Sequence, residues 1–143
     1  MEFLFDIEWF INHSPSSAVN KNTNKKLTEK ELSTIIFDDI KKVNLVFPLH
    51  DNLLYTEKRL IQTPITVKDL LTIIYLFYKD PLLEEQFENA FKDMEEWKTD
   101  LLDSIGSTSK ITKYDVFTDI CAPYFSGIEK GENNEYHIII GPL

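Results

Sequence analysis

Only one cysteine, Cys121, occurs in the 143 residues, so no internal disulfide framework is possible and one chain cannot build a cysteine-rich zinc site. A reducing, intracellular compartment is expected. The four glycines, Gly106, Gly127, Gly131 and Gly141, cannot assemble a phosphate-cradling loop or a dinucleotide fingerprint, which excludes the nucleotide enzymes of the common folds. Arg59 is the only arginine among 15 basic residues, against 24 acidic ones, for a formal charge of −9. That sign opposes phosphate backbones and anionic membranes, so nucleic acid is disfavoured as a partner and no membrane is expected. The opening MEFLFDIEWFIN is apolar but carries Glu2, Asp6 and Glu8. It has neither the basic flank of a signal peptide nor the length of a span.

What is present is a large apolar and aromatic fraction, 43% and 13%, enough for one folded domain over 1–143. Alternation of Phe3, Phe5, Ile7 and Trp9 with acidic residues predicts a strand over 2–10, its polar face spoiled by Leu4 and Phe10. The polar, aperiodic stretch 12–27 reads as a flexible surface loop. Thr28 and Glu31 have capping-box spacing and predict a helix over 29–43. Two strands are expected at 45–49 and 53–61, with Pro48 making the first an edge strand or a shorter one. Thr66 and Asp69 repeat the capping pattern and open an apolar, buried helix. Strands are expected again at 114–120, 124–128 and 136–140, the last two joined by a hairpin turn through Gly131, Asn133 and Asn134. The fold class is α+β: a mixed or mainly antiparallel sheet with three helices packed on it.

The third helix is the long one, over 81–105, opened by Asp80 and Pro81 and stopped by Gly106. Leu83, Phe87, Ala90, Met94, Trp97 and Leu101 follow four-three spacing, and Phe91, Leu102 and Ile105 widen the stripe to an arc of roughly 140°. An arc that broad suits packing on the domain core, leaving the end near Trp97 and Leu101 for a partner. Glu85, Glu88, Glu96 and Asp103 form an acidic back. Such faces are usually solvated, and the alternative is docking to a basic protein surface.

Candidate chemistry is sparse. Cys121, with His137 as base and Asp115 or Asp119 near it, is a conceivable nucleophile, but no glycine elbow or following helix start activates the thiol. His13, His50 and His137 lack metal-ligand spacing, so neither metal nor cofactor is expected. Lys21, Lys25, Lys26 and Lys30 form the one basic stretch, with no arginine or interleaved aromatic to stack on bases.

The segments TPITVKDLLTIIYLFYKDPLLEEQFE (63–88) and FSGIEKGENNEYHIIIGPL (125–143) resemble uncharacterised small proteins of large DNA viruses that infect amoebae and other protists. The resemblance covers about a third of the chain. It implies a viral source, in keeping with the preference for Lys, Asn and Ile that an A+T-rich genome produces, and synthesis inside a host cell, in cytoplasm, nucleus or virion. It supplies no functional residues. The expectation is a non-enzymatic interaction or structural protein that binds a protein partner or itself as a homodimer, through the long helix or an open sheet edge. The alternatives are a nucleic-acid-associated protein using the lysine loop and a small cysteine-dependent hydrolase or transferase.

Overall fold

The computed structural model describes residues 2–49, 56–83, 85, 88, 95–105, 111–116 and 123–141, with the backbone alone at Glu2, Glu95, Trp97, Leu101, Ser104, Ile105 and Val116. The class is α+β. The largest sheet has four strands in the order β6-β5-β9-β8, where β5 is Lys42–Pro48, β6 Thr56–Gln62, β8 Tyr124–Lys130 and β9 Glu135–Gly141. All its pairings are antiparallel except β5 with β9. Two smaller antiparallel sheets flank it: β1 (Ile7–Glu8), β2 (Val19–Asn20) and β3 (Lys25–Lys26) in one, β4 (Ile35–Ile36) and β7 (Ile65–Thr66) in the other. The helices are α1 (Glu29–Leu32), α2 (Val67–Lys79) and α3 (Glu95–Ile105). Among the described residues, no helix is long and apolar enough to cross a membrane.

Helix α2 starts at the predicted capping box: Asp69 N–H donates to Thr66 Oγ1 and Thr66 N–H to the Asp69 carboxylate. It buries Val67, Leu70, Leu71, Ile74, Phe77 and Tyr78. Val43, Leu45 and Phe47 alternate on one face of β5 and are fully buried in the same core. Phe47 stacks on Phe77 at 4.0 Å, and the buried Tyr78 hydroxyl donates to Pro48 O at 2.7 Å.

Of the two readings that Pro48 allowed, the edge position is overturned, since β5 is central, while at its C-terminal end the strand does stop at Pro48, one residue short of the expected 49. The β5–β6 ladder shows why a proline is tolerated. Thr63 N–H donates to Lys41 O, and with the register Lys42↔Gln62 to Pro48↔Thr56 this makes Glu57, Arg59 and Ile61 the residues that bond β5. Residue 48 therefore directs its backbone away from β6, past the end of the β9 pairing at Val46. No ladder bond needs the missing N–H, and Tyr78 takes the carbonyl.

Several predicted elements differ. Residues Glu2–Asp6 form a 3-10 turn, not a strand; three-residue periodicity buries Leu4 with Ile7 and leaves Phe5 half exposed. Only Ile7–Glu8 is strand, and Phe10 bridges Tyr124 at the β8 edge. The stretch 12–27, expected as a loop, holds a 3-10 turn capped by Ser14 and the β2–β3 hairpin, with Ala18 and Leu27 buried. Its turn is made by asparagines: Asn22 N–H donates to Asn20 Oδ1, and Asn24 adopts φ 56°. The helix expected over 29–43 stops after Leu32. The capping box forms, but Ile35 and Ile36 pair with Thr66 and Ile65, and Phe37 at φ 58° turns the chain. Long-range pairing of β-branched residues overrides the local helical period.

Asp80 ends α2 by donating its N–H to Leu76 O and Phe77 O, and Pro81 bridges Thr112, so neither opens a helix. Of the helix expected over 81–105, helical backbone is described at Glu85, Glu88 and throughout α3. Lys98 and Glu88 form an ion pair at 2.5 Å. Residues 84, 86–87 and 89–94, with Phe87, Ala90, Phe91 and Met94 of the expected apolar stripe, lie outside the described residues. Tyr114 lies in a 3-10 turn, Lys113–Val116, and not in a strand; 117–120 lie outside the described residues. The β8–β9 hairpin forms as expected: Glu135 N–H donates to Glu132 O across Asn133 and Asn134, both at positive φ.

Candidate functional site

The alternation that accommodates Pro48 has a consequence on the other side of β6. Since Glu57, Arg59 and Ile61 spend their backbone groups on β5, Lys58, Leu60 and Gln62 turn their N–H and C=O groups outward. Among the described residues nothing pairs with them, and β6 is the open edge of the main sheet. The opposite edge, β8, is covered: Phe125 N–H donates to Trp9 O and Phe10 bridges Tyr124.

Side chains on β6 divide by face. Leu60 points to the side away from α2 and is 59% exposed, flanked by Lys58, whose Nζ is 2.6 Å from the Glu135 carboxylate. Arg59 and Ile61 point to the α2 side and, with Ile73, Leu76 and Asp80, line a groove of about 190 Å³ between edge and helix. Leu76 is 53% exposed there. Leu76 thus places an apolar side chain in water beside the strand edge.

Under the groove lies a charged cluster. Arg59 Nε donates to Glu57 at 2.7 Å, and its guanidinium lies 5.0 Å from the Phe77 ring centre. Lys113 is buried, 3.6 Å from Glu57 and 4.4 Å from the same ring centre. Its position follows from the pairing of two chain segments: Leu82 N–H donates to Ile111 O and Lys113 N–H to Asp80 O. Burial, then the Glu57 charge, pushes the Tyr78 hydroxyl well above its ordinary range, so it stays protonated. The cluster fixes the base of β6 against α2, and among the described residues nothing pairs with its outer edge.

The sequence-predicted surfaces fall elsewhere. Glu85, Glu88, Glu96 and Asp103 are exposed. The side chains of Trp97 and Leu101, and all of Cys121, Asp119, His50 and Asp51, lie outside the described residues. His137 is half-exposed beside Glu135 at 4.0 Å. His13 is exposed and packs edge-on against Phe10, and Asp115 accepts from Thr112 N–H and Oγ1. No three His, Cys, Asp or Glu residues converge as a metal needs, among the described residues. The lysine stretch is less isolated from aromatics than its sequence suggests: Lys21 Nζ lies 5.9 Å from the centre of the Tyr124 ring, which also packs against Phe10.

Sequence reasoning recognised a strand at 53–61 but not its place at the edge. The turn between 45–49 and 53–61 was visible, whereas strand order depends on β9, over seventy residues downstream. Compared with protein-family models, curated proteins and solved structures, the chain has no significant match.

Proposed function

We propose that this chain is a non-enzymatic protein-interaction protein that associates, with itself or with a protein partner, through the β6 edge and the adjoining α2 groove. The observation that carries the reading is the outward row of unpaired backbone groups at Lys58, Leu60 and Gln62, next to the half-exposed Leu60 and Leu76. Strand addition at such an edge gains affinity from main-chain hydrogen bonds and specificity from alternate side chains. A charge of −9 keeps the isolated protein soluble and raises encounter rates with basic protein surfaces. The resemblance to small proteins of large DNA viruses extends the proposal to a viral accessory or structural role inside a host cell.

The test is affinity purification from the native cell, comparing the unaltered chain with Leu60→Lys combined with Leu76→Glu. Partners retained by the first and lost by the second support the reading; an identical partner set argues against it. A second reading, association with nucleic acid, is favoured by the placement of Lys21 over Tyr124 beside Phe10, a base-stacking arrangement in miniature. Glu8 lines the neighbouring cleft with Phe10 and His13 and opposes it. Absence of binding to single-stranded DNA or RNA at low salt removes this reading.

A further inference from the structure

Resting on the interaction reading above, we infer that the occupant of the β6 edge is a second copy of this chain, paired antiparallel about a two-fold axis through Leu60. Two β6 strands can exchange hydrogen bonds only where outward-facing residues meet, which restricts pairing to Lys58, Leu60, Gln62 and their neighbours of the same parity. Centring on Lys58 sets Lys58 against its own copy, and centring on Arg59 sets Arg59 against its own copy; like charges directly opposite are destabilising. Centring on Ile61 places Lys58 against Pro64, which has no N–H to give.

Centring on Leu60 sets no like charges opposite one another and moves Pro64 out against Thr56, at the end of the ladder and away from the three central pairs. Leu60 meets Leu60 on the outer face, Lys58 meets Gln62, and Arg59 meets Ile61 on the α2 side. Of the four outward residues of β6, Lys58, Leu60 and Gln62 pair fully and Thr56 lies at the end of the ladder, and no like charges face one another. The half-exposed Leu60 becomes covered, and the half-exposed Leu76 lies along the same edge, beside the groove that the second strand borders. Isologous pairing of this kind closes on itself and leaves no further open β6 edge, so it ends at a dimer. Because each copy carries −9, added salt strengthens the dimer by screening repulsion between the copies.

The experiment combines light scattering of the full chain with disulfide trapping of three single variants, Lys58→Cys, Arg59→Cys and Leu60→Cys, the cross-linked peptides being mapped by mass so that Cys121 can stay. The expected result is a dimer at micromolar concentration, lost in Leu60→Lys, with the residue-60 variant cross-linking to itself at least tenfold faster than the other two. Lys58 and Leu60 are exposed, Arg59 gives up its contacts with Glu57 and Phe77, and circular dichroism of each variant checks that the fold is kept. A dimer in which residue 60 cross-links no faster than residue 58 or 59 overturns this register while leaving association through another surface intact. A monomer at every concentration and salt tested overturns self-pairing, and leaves the interaction reading to a different partner.

Discussion

The ammonium of Lys113 sits 4.4 Å from the centre of the Phe77 ring, buried between helix α2 and the edge strand β6. Its only ion pair among the described residues is with Glu57 at 3.6 Å, and Glu57 also accepts from Arg59. A buried cation with one carboxylate and one ring face depends on both. Glu57 would keep Arg59 if Lys113 were removed, whereas Lys113 would lose the one counter-charge it has among the described residues if Glu57 were removed.

The two substitutions are therefore unequal. Glu57→Ala is expected to cost about 3 kcal/mol, in the range for breaking a buried pair on one side. Lys113→Met, which keeps the apolar stem and discards the charge, is expected to cost under about 1 kcal/mol or to stabilise. Urea denaturation of both variants decides the point, and the reverse order of midpoints would count against the cluster as described.

Tyr78 ties stability to high pH. Its folded pKa lies well above the ordinary value of 10 because of burial and then the Glu57 charge, so the folded chain holds a proton that the unfolded chain releases near pH 10. This contribution is complete below about pH 10 and falls as pH rises beyond it. Tyr78→Phe removes the dependence and, by orphaning the Pro48 carbonyl, costs about 1–3 kcal/mol at neutral pH. Thermal midpoints of both proteins between pH 7 and 11 should converge at the alkaline end; parallel curves would contradict the assignment.

Gly127 marks the irregular point in the β8–β9 register, at φ 123°, where an added Cβ would lie 2.6 Å from the Phe5 ring. Gly127→Ala is expected to cost about 1–3 kcal/mol. Phe5 is half exposed and can swing aside, so most of that cost is backbone strain. Adding Phe5→Ala should restore little of it. Full restoration, measured by calorimetry, would mean that the ring contact dominates.

The two capping-box helix starts were legible because capping is local, whereas the third expected start, Asp80 with Pro81, ends a helix instead. Thr28 with Glu31 and Thr66 with Asp69 form the reciprocal bonds that their spacing predicts, and Thr66→Ala should lower stability by about 1 kcal/mol in the same denaturation assay. The Thr28 N–H, then Asn20, holds the Glu31 carboxyl below its usual range. This support for the first turn is present above about pH 4.5 and is lost as pH falls through the lower folded value. The β8–β9 hairpin was legible for the same reason, since Asn133 and Asn134 carry their own turn geometry. What could not be read is what distant pairing decides. Ile35, Ile36 and Ile40 fit a helical period, yet the first two are claimed by β7. Pro48 argued for an edge, but its strand is central because the absent N–H falls where no partner strand extends. The candidate site depends on this same kind of information: Leu60 is an ordinary strand residue until the order β6-β5-β9-β8 leaves it on the outside.

The most direct measurement of the central claim is residue-resolved amide hydrogen exchange along β6, compared at low and high protein concentration. The account predicts that the N–H groups of Lys58, Leu60 and Gln62 exchange fast in the dilute protein and become protected as concentration rises, while those of Glu57, Arg59 and Ile61 are protected throughout. Equal, concentration-independent exchange at Lys58, Leu60 and Gln62 in a chain that nevertheless self-associates would contradict it.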